Sequence, residues 1–176
     1  MKHIIVILAL CAIVNGGVRK EIFGELSGVY PAGDYFVTGT IYVLRGKTLH
    51  FEAGSRLYFE QFSGVTVFGT LILEGSDEQP VTLTSAQKLP ERRQTPESFD
   101  WNGVELNADA VLMNAENTII THSVFGFNIK SHQTPVSLTN VQFDNIGYAS
   151  VVRDGKIVTL LPEKPYSNQW NISSGD

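Results

Sequence analysis

Residues 48–52 read TLHFE and residues 70–74 read TLILE, which aligns two segments of the chain at a step of 22 positions. The second half repeats in the same manner, because residues 117–121 (NTIIT) align with residues 140–144 (NVQFD) at a step of 23. In these segments apolar and polar residues alternate, and Gly, Asn or Pro separates one segment from the next. Such alternation indicates β-strands, and a fixed repeat of this length is typical of folds built from stacked units. The sequence therefore predicts an all-β chain, a parallel β-helix (β-solenoid) of about five short coils.

Each predicted coil contains three short strands, so that each strand pairs with its counterpart one repeat later in one of three parallel sheets. The strands of the first two full coils, in matching order, are residues 41–43, 49–51 and 57–59, then residues 65–67, 71–73 and 81–83. Because successive side chains point to opposite faces of a strand, Leu49 and Phe51 are expected in the core and His50 outside. Two further coils follow between Trp101 and about residue 145. In these coils the amides of Asn117 and Asn140 are expected to form a hydrogen-bonded ladder.

The first residues are predicted to be a targeting segment. Lys2 and His3 precede eleven apolar residues, from Ile4 to Val14, and small residues follow. This order is typical of a secretory signal peptide, so residues 1–17 are expected to be removed and the protein to be secreted or exposed at the cell surface. The alternative is an uncleaved anchor, but the apolar run is shorter than the roughly 20 residues that cross a bilayer. The mature chain is expected to have no transmembrane helix.

The rest of the chain is divided by composition. Residues 18–161 are assigned to one β-helix domain, and residues 19–34 are expected to cap its first coil, because an uncovered first strand would leave an open sheet edge. Residues 87–100 are charged, contain Pro and have almost no apolar side chains, so they are predicted to be a loop that projects from the stack. Residues 162–176 are predicted to be a polar C-terminal tail.

Composition excludes several function classes. Cys11 is the only cysteine and lies in the predicted signal peptide, so the mature chain is expected to have neither a disulfide nor a thiol nucleophile. The net charge is −5 and basic residues are not clustered, which argues against nucleic-acid binding. The expected partners are polysaccharides or other extracellular proteins, and the protein is expected to be a monomer or to stack end to end.

The order of four motifs resembles a known superfamily. The motifs are residues 49–59 (LHFEAGSRLYF), 65–76 (VTVFGTLILEGS), 80–86 (PVTLTSA) and 101–104 (WNGV). Together they are similar to the right-handed parallel β-helix repeats of the pectin-lyase-like superfamily, as found in extracellular surface proteins. The resemblance covers roughly residues 35–145 and implies the handedness of the helix. It implies little about activity, because the superfamily contains lyases, hydrolases, adhesins and spacers.

Catalytic motifs of that superfamily are not found in the sequence. The Asp cluster, Gly-His-Gly and Arg-Ile-Lys of polygalacturonase-like enzymes do not occur. Pectate-lyase-like enzymes need carboxylates that bind calcium and a basic residue that removes a proton. The nearest arrangement is Glu52 and Glu74 one coil apart, with Lys47 and Arg56 nearby; a pair of solvated charges is the alternative. No catalytic residue and no cofactor are therefore assigned, and calcium belongs only to the alternative of a polysaccharide lyase or glycoside hydrolase.

Ligand contacts, if the protein binds a glycan, are expected on the outer face near the long loop. The predicted contacts are Arg92, Arg93 and Trp101 and, one face away, His50 and Tyr58, because aromatic rings can stack on sugars and basic side chains suit acidic groups. Alternatives are open for each: Tyr58 could pack on the next coil, Trp101 could fill the core, and the loop could be a solvated insertion. The expected function is a structural or adhesive module, not an enzyme, with carbohydrate binding as its activity.

Overall fold

The computed structural model describes residues 19–158 and 169–171. In these residues the chain is all-β, with no α-helix and one short 3-10 helix at Ala86–Lys88. The strands are β1 (Lys20–Glu25), β2 (Gly28–Tyr30), β3 (Gly33–Val43), β4 (Thr48–Glu52), β5 (Ser55–Phe59), β6 (Val65–Val67), β7 (Thr70–Glu74), β8 (Val81–Ser85), β9 (Val104–Leu106), β10 (Leu112–Thr121), β11 (Phe125–Ile129), β12 (Val136–Asp144), β13 (Ala149–Arg153), β14 (Lys156–Ile157) and β15 (Gln169–Asn171).

Most strands pair in parallel, and the parallel pairings form three ladders. Ladder 1 joins β2, β4, β7 and the first halves of β10 and β12. Ladder 2 joins the first halves of β1 and β3 to β5, β8 and the second halves of β10 and β12. Ladder 3 joins the second halves of β1 and β3 to β6, β9, β11 and β13. Because β3 and β10 each continue from one ladder to another, the strands belong to one 15-stranded sheet, whose strand order does not close on itself. The predictions of an all-β chain and of parallel pairing are confirmed.

The sequence repeat predicts most of the register correctly. Residues 48–52 lie opposite residues 70–74, and residues 118–121 lie opposite residues 141–144, as the alignment requires. The predicted alignment of residues 57–59 with residues 81–83 is wrong by two positions, since Leu57 lies opposite Leu83. An even shift keeps the same side chains on the buried face, so the alternation alone cannot detect the error.

The core lies inside the ladders and consists of the apolar members of each alternating strand. Leu49, Phe51, Leu57 and Phe59, all on the predicted inner face, are at most 1% exposed. They belong to one continuous hydrophobic cluster that extends from β1 to β13. Full burial of such a side chain contributes about 1.5–3 kcal/mol relative to exposure, so the repeated alternation is the main source of stability.

The corner between ladders 1 and 2 contains the predicted amide ladder. Asn117 and Asn140 interrupt β10 and β12 with φ angles of 44° and 50°, in the left-handed region that Asn tolerates better than most residues. Nδ2 of Asn140 donates to Oδ1 of Asn117 at 2.6 Å, and Nδ2 of Asn117 donates to the carbonyl of Gly75 at 3.1 Å. The prediction is confirmed, and it extends to the preceding repeat through Gly75.

The two ends of the stack are built differently. Residues 19–34 contain β1, β2 and the start of β3, so the predicted cap consists of the first strands of the ladders. At the other end, β14 pairs antiparallel with β13 and β15 pairs antiparallel with β12. The segment predicted as a polar tail therefore contains a strand, because the edge of β12 offers it a backbone partner.

Other predictions concern residues that the structure does not describe. The predicted signal peptide, residues 1–17, and the tail outside β15 lie outside the described residues. Within the described ranges, no helix has the length and hydropathy needed to span a membrane.

Candidate functional site

The five predicted ligand contacts do not form one surface. His50 lies on β4 in ladder 1, whereas Tyr58 lies on β5 in ladder 2. Arg92 and Arg93 belong to the long loop that follows β8. The sequence assigns residues 49–51 and 57–59 to different strands of the first coil, and the pairing of these strands in different ladders agrees with it.

Trp101 is a core residue, and its predicted ligand contact is wrong. Its side chain is 0% exposed, and its indole stacks on the ring of Phe59 with the centroids 4.0 Å apart and the planes 9° apart. The indole N–H donates to the carbonyl of Thr121 at 2.9 Å. The alternative considered from the sequence, in which Trp101 fills the core where the chain returns from the long loop, is confirmed.

His50 and Tyr58 are half-buried and already contact charged neighbours. Nε2 of His50 lies 2.7 Å from Oε2 of Glu74 in the next repeat, although the pair is not aligned as a hydrogen bond. The guanidinium of Arg19 lies over the ring of Tyr58, 5.9 Å from its centroid. Burial, followed by the charge of Asp34, raises the pKa of Tyr58, while Arg56 and Arg19 oppose that change. A ligand at either residue would have to replace these contacts.

The long loop folds back against ladder 2, so the prediction of a projecting loop is wrong. Leu89 is 3% exposed and is an apolar anchor of the loop. The charged composition of the segment does not predict this burial. Arg92 pairs with Glu60, and its guanidinium lies 5.5 Å from the centroid of the Phe36 ring. Arg93 is exposed. Of the two predicted basic contacts, Arg92 is therefore part of the packing of the loop.

The start and end of the loop are held together by a hydrogen-bonded cap. Oγ of Ser85 donates to Oδ2 of Asp100 at 2.6 Å and accepts the N–H of Gln87 at 3.0 Å. Oδ2 of Asp100 also accepts the backbone N–H of Glu97 at 3.1 Å. Asp100 thus closes the loop at its base and is not part of a ligand-binding rim.

The candidate acidic pair is part of a longer row. Glu52, Glu74 and Glu116 occupy the same register position on three neighbouring strands of ladder 1, and all three are exposed. Arg56, proposed as a nearby base, lies on ladder 2 and pairs with Oδ1 of Asp34 at 2.5 Å. In the part of the chain that the structure describes, no three acidic, His or Cys side chains are placed to bind a metal. The geometry supports the interpretation of these residues as solvated charges.

A groove of about 310 Å³ lies on the outer face of ladder 3. Its first wall is a row of outward side chains on four neighbouring strands, which in register order are Tyr42, Thr66, Glu105 and Asn128. Its second wall lies at the corner between ladders 2 and 3 and includes Asn102, Val124 and Phe125. Since neighbouring strands are about 4.8 Å apart, the first wall extends for about 14 Å along the stack. The groove therefore suits an elongated ligand.

The floor of the groove is backbone, because two of its residues must be glycine. A Cβ atom at Gly64 would lie 2.9 Å from the carbonyl oxygen of Gly103 in the next repeat. Gly103 has a φ of 93°, and a Cβ atom there would collide with the carbonyl of Phe125. Successive repeats approach each other too closely at this corner for any side chain.

The groove is polar but almost neutral. Its carboxylate, on Glu105, lies 3.1 Å from Nζ of Lys130 and accepts a hydrogen bond from Nδ2 of Asn128 at 3.3 Å. The remaining polar side chains of the lining are the hydroxyls of Thr40, Tyr42 and Thr66 and the amides of Asn102 and Asn128. Hydroxyls and amides both donate and accept hydrogen bonds, so they can match the hydroxyl groups of a sugar chain.

The sequence contains the residue pattern that predicts this groove, but the pattern is divided between the two halves of the chain. Each residue of the first wall is the central residue of an apolar–polar–apolar triplet, as in residues 41–43 and 104–106. The insertion at residues 87–100 separates the two halves of the row and interrupts the regular repeat. Thr66 and Glu105 lie opposite each other across this insertion.

A buried polar chain lies beneath the same corner. His122 is 4% exposed, and its Nδ1 lies 2.8 Å from Oγ1 of Thr121, which lies 2.7 Å from Oγ1 of Thr84. Nε2 of His122 lies 3.3 Å from Nδ2 of Asn145. Because an amide nitrogen can only donate, Nε2 is the acceptor and the proton of the neutral ring is on Nδ1.

The neutral form of His122 is also favoured electrostatically. Burial lowers the pKa of His122 below its usual value of 6.5, and the charge of Lys88 lowers it further. The carboxylates of Asp100 and Asp144 oppose the change. The ring is therefore a structural link between the ends of β10 and β12, through its contacts with Thr121 and Asn145.

Comparison of the chain with protein-family models, with curated proteins and with solved structures finds no match.

Proposed function

We propose that the protein is a secreted or surface-exposed right-handed parallel β-helix module that binds a polysaccharide lengthwise and does not cleave it. The β-helix is supported by the way the chain passes repeatedly through ladders 2, 3 and 1 in turn. In the regular repeats, paired residues are 22 or 23 positions apart. The resemblance of the motifs to pectin-lyase-like repeats supports the same winding and the right-handed crossing.

The groove on ladder 3 is the observation that carries the functional proposal. It is open along the stack, its floor is bare backbone at Gly64 and Gly103, and its walls present hydroxyl and amide groups. A polymer of sugar rings is long and rich in hydroxyl groups, so it matches both the shape and the chemistry of the groove. A compact ligand would use only part of the first wall.

Binding without cleavage is supported by the distribution of carboxylates. Glycoside hydrolases use two carboxyl groups about 5–9.5 Å apart on either side of the bond that is cleaved. Among the described residues that line the groove, Glu105 is the one carboxylate, and it is paired with Lys130. Its pairing suits the positioning of a hydroxyl group better than proton transfer.

Retention of the purified protein on a polysaccharide array tests the binding proposal. Thr66→Leu removes a central hydroxyl of the first wall and should weaken retention by about fivefold, the value of one hydrogen bond. Thr82→Leu is the matched control, because Thr82 is also a half-buried Thr at an outward position, but on ladder 2. If the native protein is retained on no polysaccharide, or if both variants behave alike, the proposed groove is wrong.

Incubation with polygalacturonate, alginate and neutral polymers, with and without calcium, tests the absence of cleavage. We expect no new reducing ends and no unsaturated products. Products that disappear in Glu105→Gln or Glu74→Ala would instead show an enzyme. Measuring the mass of the mature N-terminus, expected near Gly17 or Val18, tests secretion separately.

A further inference from the structure

Phe62 and Phe99 are placed in a way that opposes stability. Their side chains are 79% and 56% exposed. Their φ angles are 63° and 74°. These angles lie in the left-handed region, which a bulky residue rarely adopts. The backbone conformation at each position would be more favourable with Gly, which accepts a positive φ without strain. Because both residues combine an exposed ring with a positive φ angle, we look for a role other than folding for them.

Neither residue is in the lining of the groove, but both lie near residues of its second wall. Phe62 is two positions before Gly64 in the groove floor, and its carbonyl accepts a hydrogen bond at 2.7 Å from Nδ2 of Asn102 in that wall. Phe99 lies at the other end of the same corner, where its ring packs over the backbone of Gly147, 2.6 Å from where a Cβ atom would stand.

A third aromatic group continues this wall. The exposed ring of Tyr148, next to Gly147, makes an edge-to-face contact with Phe125 in the second wall, with the centroids 5.2 Å apart. We name Phe62, Phe99 and Tyr148 the aromatic rim. The rim adjoins the second wall of the groove at Asn102 and at Phe125.

We infer that the aromatic rim stacks on the apolar ring faces of a neutral polysaccharide held in the groove. A pyranose ring is amphipathic: its C–H faces suit aromatic rings, while its hydroxyl edges suit the first wall. This inference rests on the proposed function, and it identifies the class of polymer that the groove accepts.

The charges of the groove favour a neutral polymer over an acidic one. The carboxylate of Glu105 repels a uronate, and Lys130 is already paired with it. The whole chain carries a net charge of −5, which adds a weak long-range repulsion of polyanions. The basic residues of the long loop, Arg92 and Arg93, are not among the residues that line the groove.

Substitution by Gly separates a binding role from a structural one. Phe62→Gly and Phe99→Gly should each weaken binding to a neutral polymer, such as a β-glucan or a mannan, by about five- to tenfold, the value of one aromatic stacking contact. The same substitutions should leave the thermal midpoint unchanged or raise it by about 2–4 °C, because they relieve the backbone. A side chain that matters only for folding would show a lower midpoint and unchanged binding.

The control is Val29→Ala, which removes a similarly exposed apolar side chain from ladder 1. It should change neither binding nor stability. Unchanged binding in both Gly variants, with Thr66→Leu still weakened, overturns the aromatic rim and leaves the groove intact. Tighter binding to polygalacturonate than to every neutral polymer overturns the assignment of a neutral ligand. If the native protein binds no polysaccharide, the proposed function fails, and this inference fails with it.

Discussion

Replacing Asn117 separates the two contributions that hold the corner between ladders 1 and 2. Asn117 has a φ of 44°, donates from Nδ2 to the carbonyl of Gly75, and accepts at Oδ1 from Asn140. Asn117→Gly keeps the backbone conformation and removes both hydrogen bonds. Asn117→Ala removes the same bonds and also places a Cβ atom in the left-handed region.

The expected losses follow from this geometry. Each hydrogen bond contributes about 1 kcal/mol, so Asn117→Gly should lower the free energy of unfolding by about 2 kcal/mol. The left-handed conformation costs a residue such as Ala about 1–2 kcal/mol, so Asn117→Ala should lose about 3–4 kcal/mol. The larger loss is a substantial part of the roughly 5–15 kcal/mol that stabilises a typical domain.

Equilibrium unfolding in urea measures both losses, with the slope of the transition as a check that the unfolded states are comparable. A double-mutant cycle with Asn140→Gly should give a coupling of about 1 kcal/mol for the amide–amide bond. Equal losses in the Gly and Ala variants would show that the backbone conformation contributes nothing. An unchanged Asn117→Gly variant would refute the contribution of the amide ladder.

Two further predictions concern the corner between ladders 2 and 3. The unfolded chain protonates His122 near its usual pKa of 6.5 and the folded chain resists protonation, so stability should fall as the pH drops below about 6.5. His122→Gln should reduce this dependence in urea titrations between about pH 5 and 7, and a dependence equal to that of the native protein would contradict the assignment. Trp101→Phe should lower the free energy of unfolding by about 2 kcal/mol, because it loses the bond to Thr121 and part of the stack on Phe59. Denaturation and polysaccharide retention should be measured together, since weaker retention at unchanged stability would restore Trp101 as a ligand contact.

The fold could be predicted because its determinants are local. Alternation at positions such as Leu49 and Phe51 gives both the strand and its buried face, and the repeat gives the pairing partner. The amide ladder was predictable for the same reason, since Asn117 and Asn140 are one repeat apart. The error at Leu57 shows the limit of this reasoning, because a shift of two residues leaves the pattern of alternation unchanged.

The candidate site could not be predicted to the same degree, because its walls come from different repeats. Tyr42 and Asn128 belong to one wall but are separated by the long insertion. The burial of Trp101 and Leu89 depends on how that insertion folds back, which composition does not determine. The exposure of Phe62 could not be predicted from the sequence either, because Phe is usually a core residue.

Chain length varies most at the corner between ladders 2 and 3. There the chain passes directly through β3, makes a short turn after β5, and makes the long insertion after β8, while ladder 3 keeps its register. Insertions and deletions at this corner would leave the register of ladder 3 unchanged and would remodel the second wall of the groove. Selection could change the shape of this groove one loop at a time, with the strand register held constant. The asymmetry separates the part of the molecule that can evolve quickly from the part that cannot.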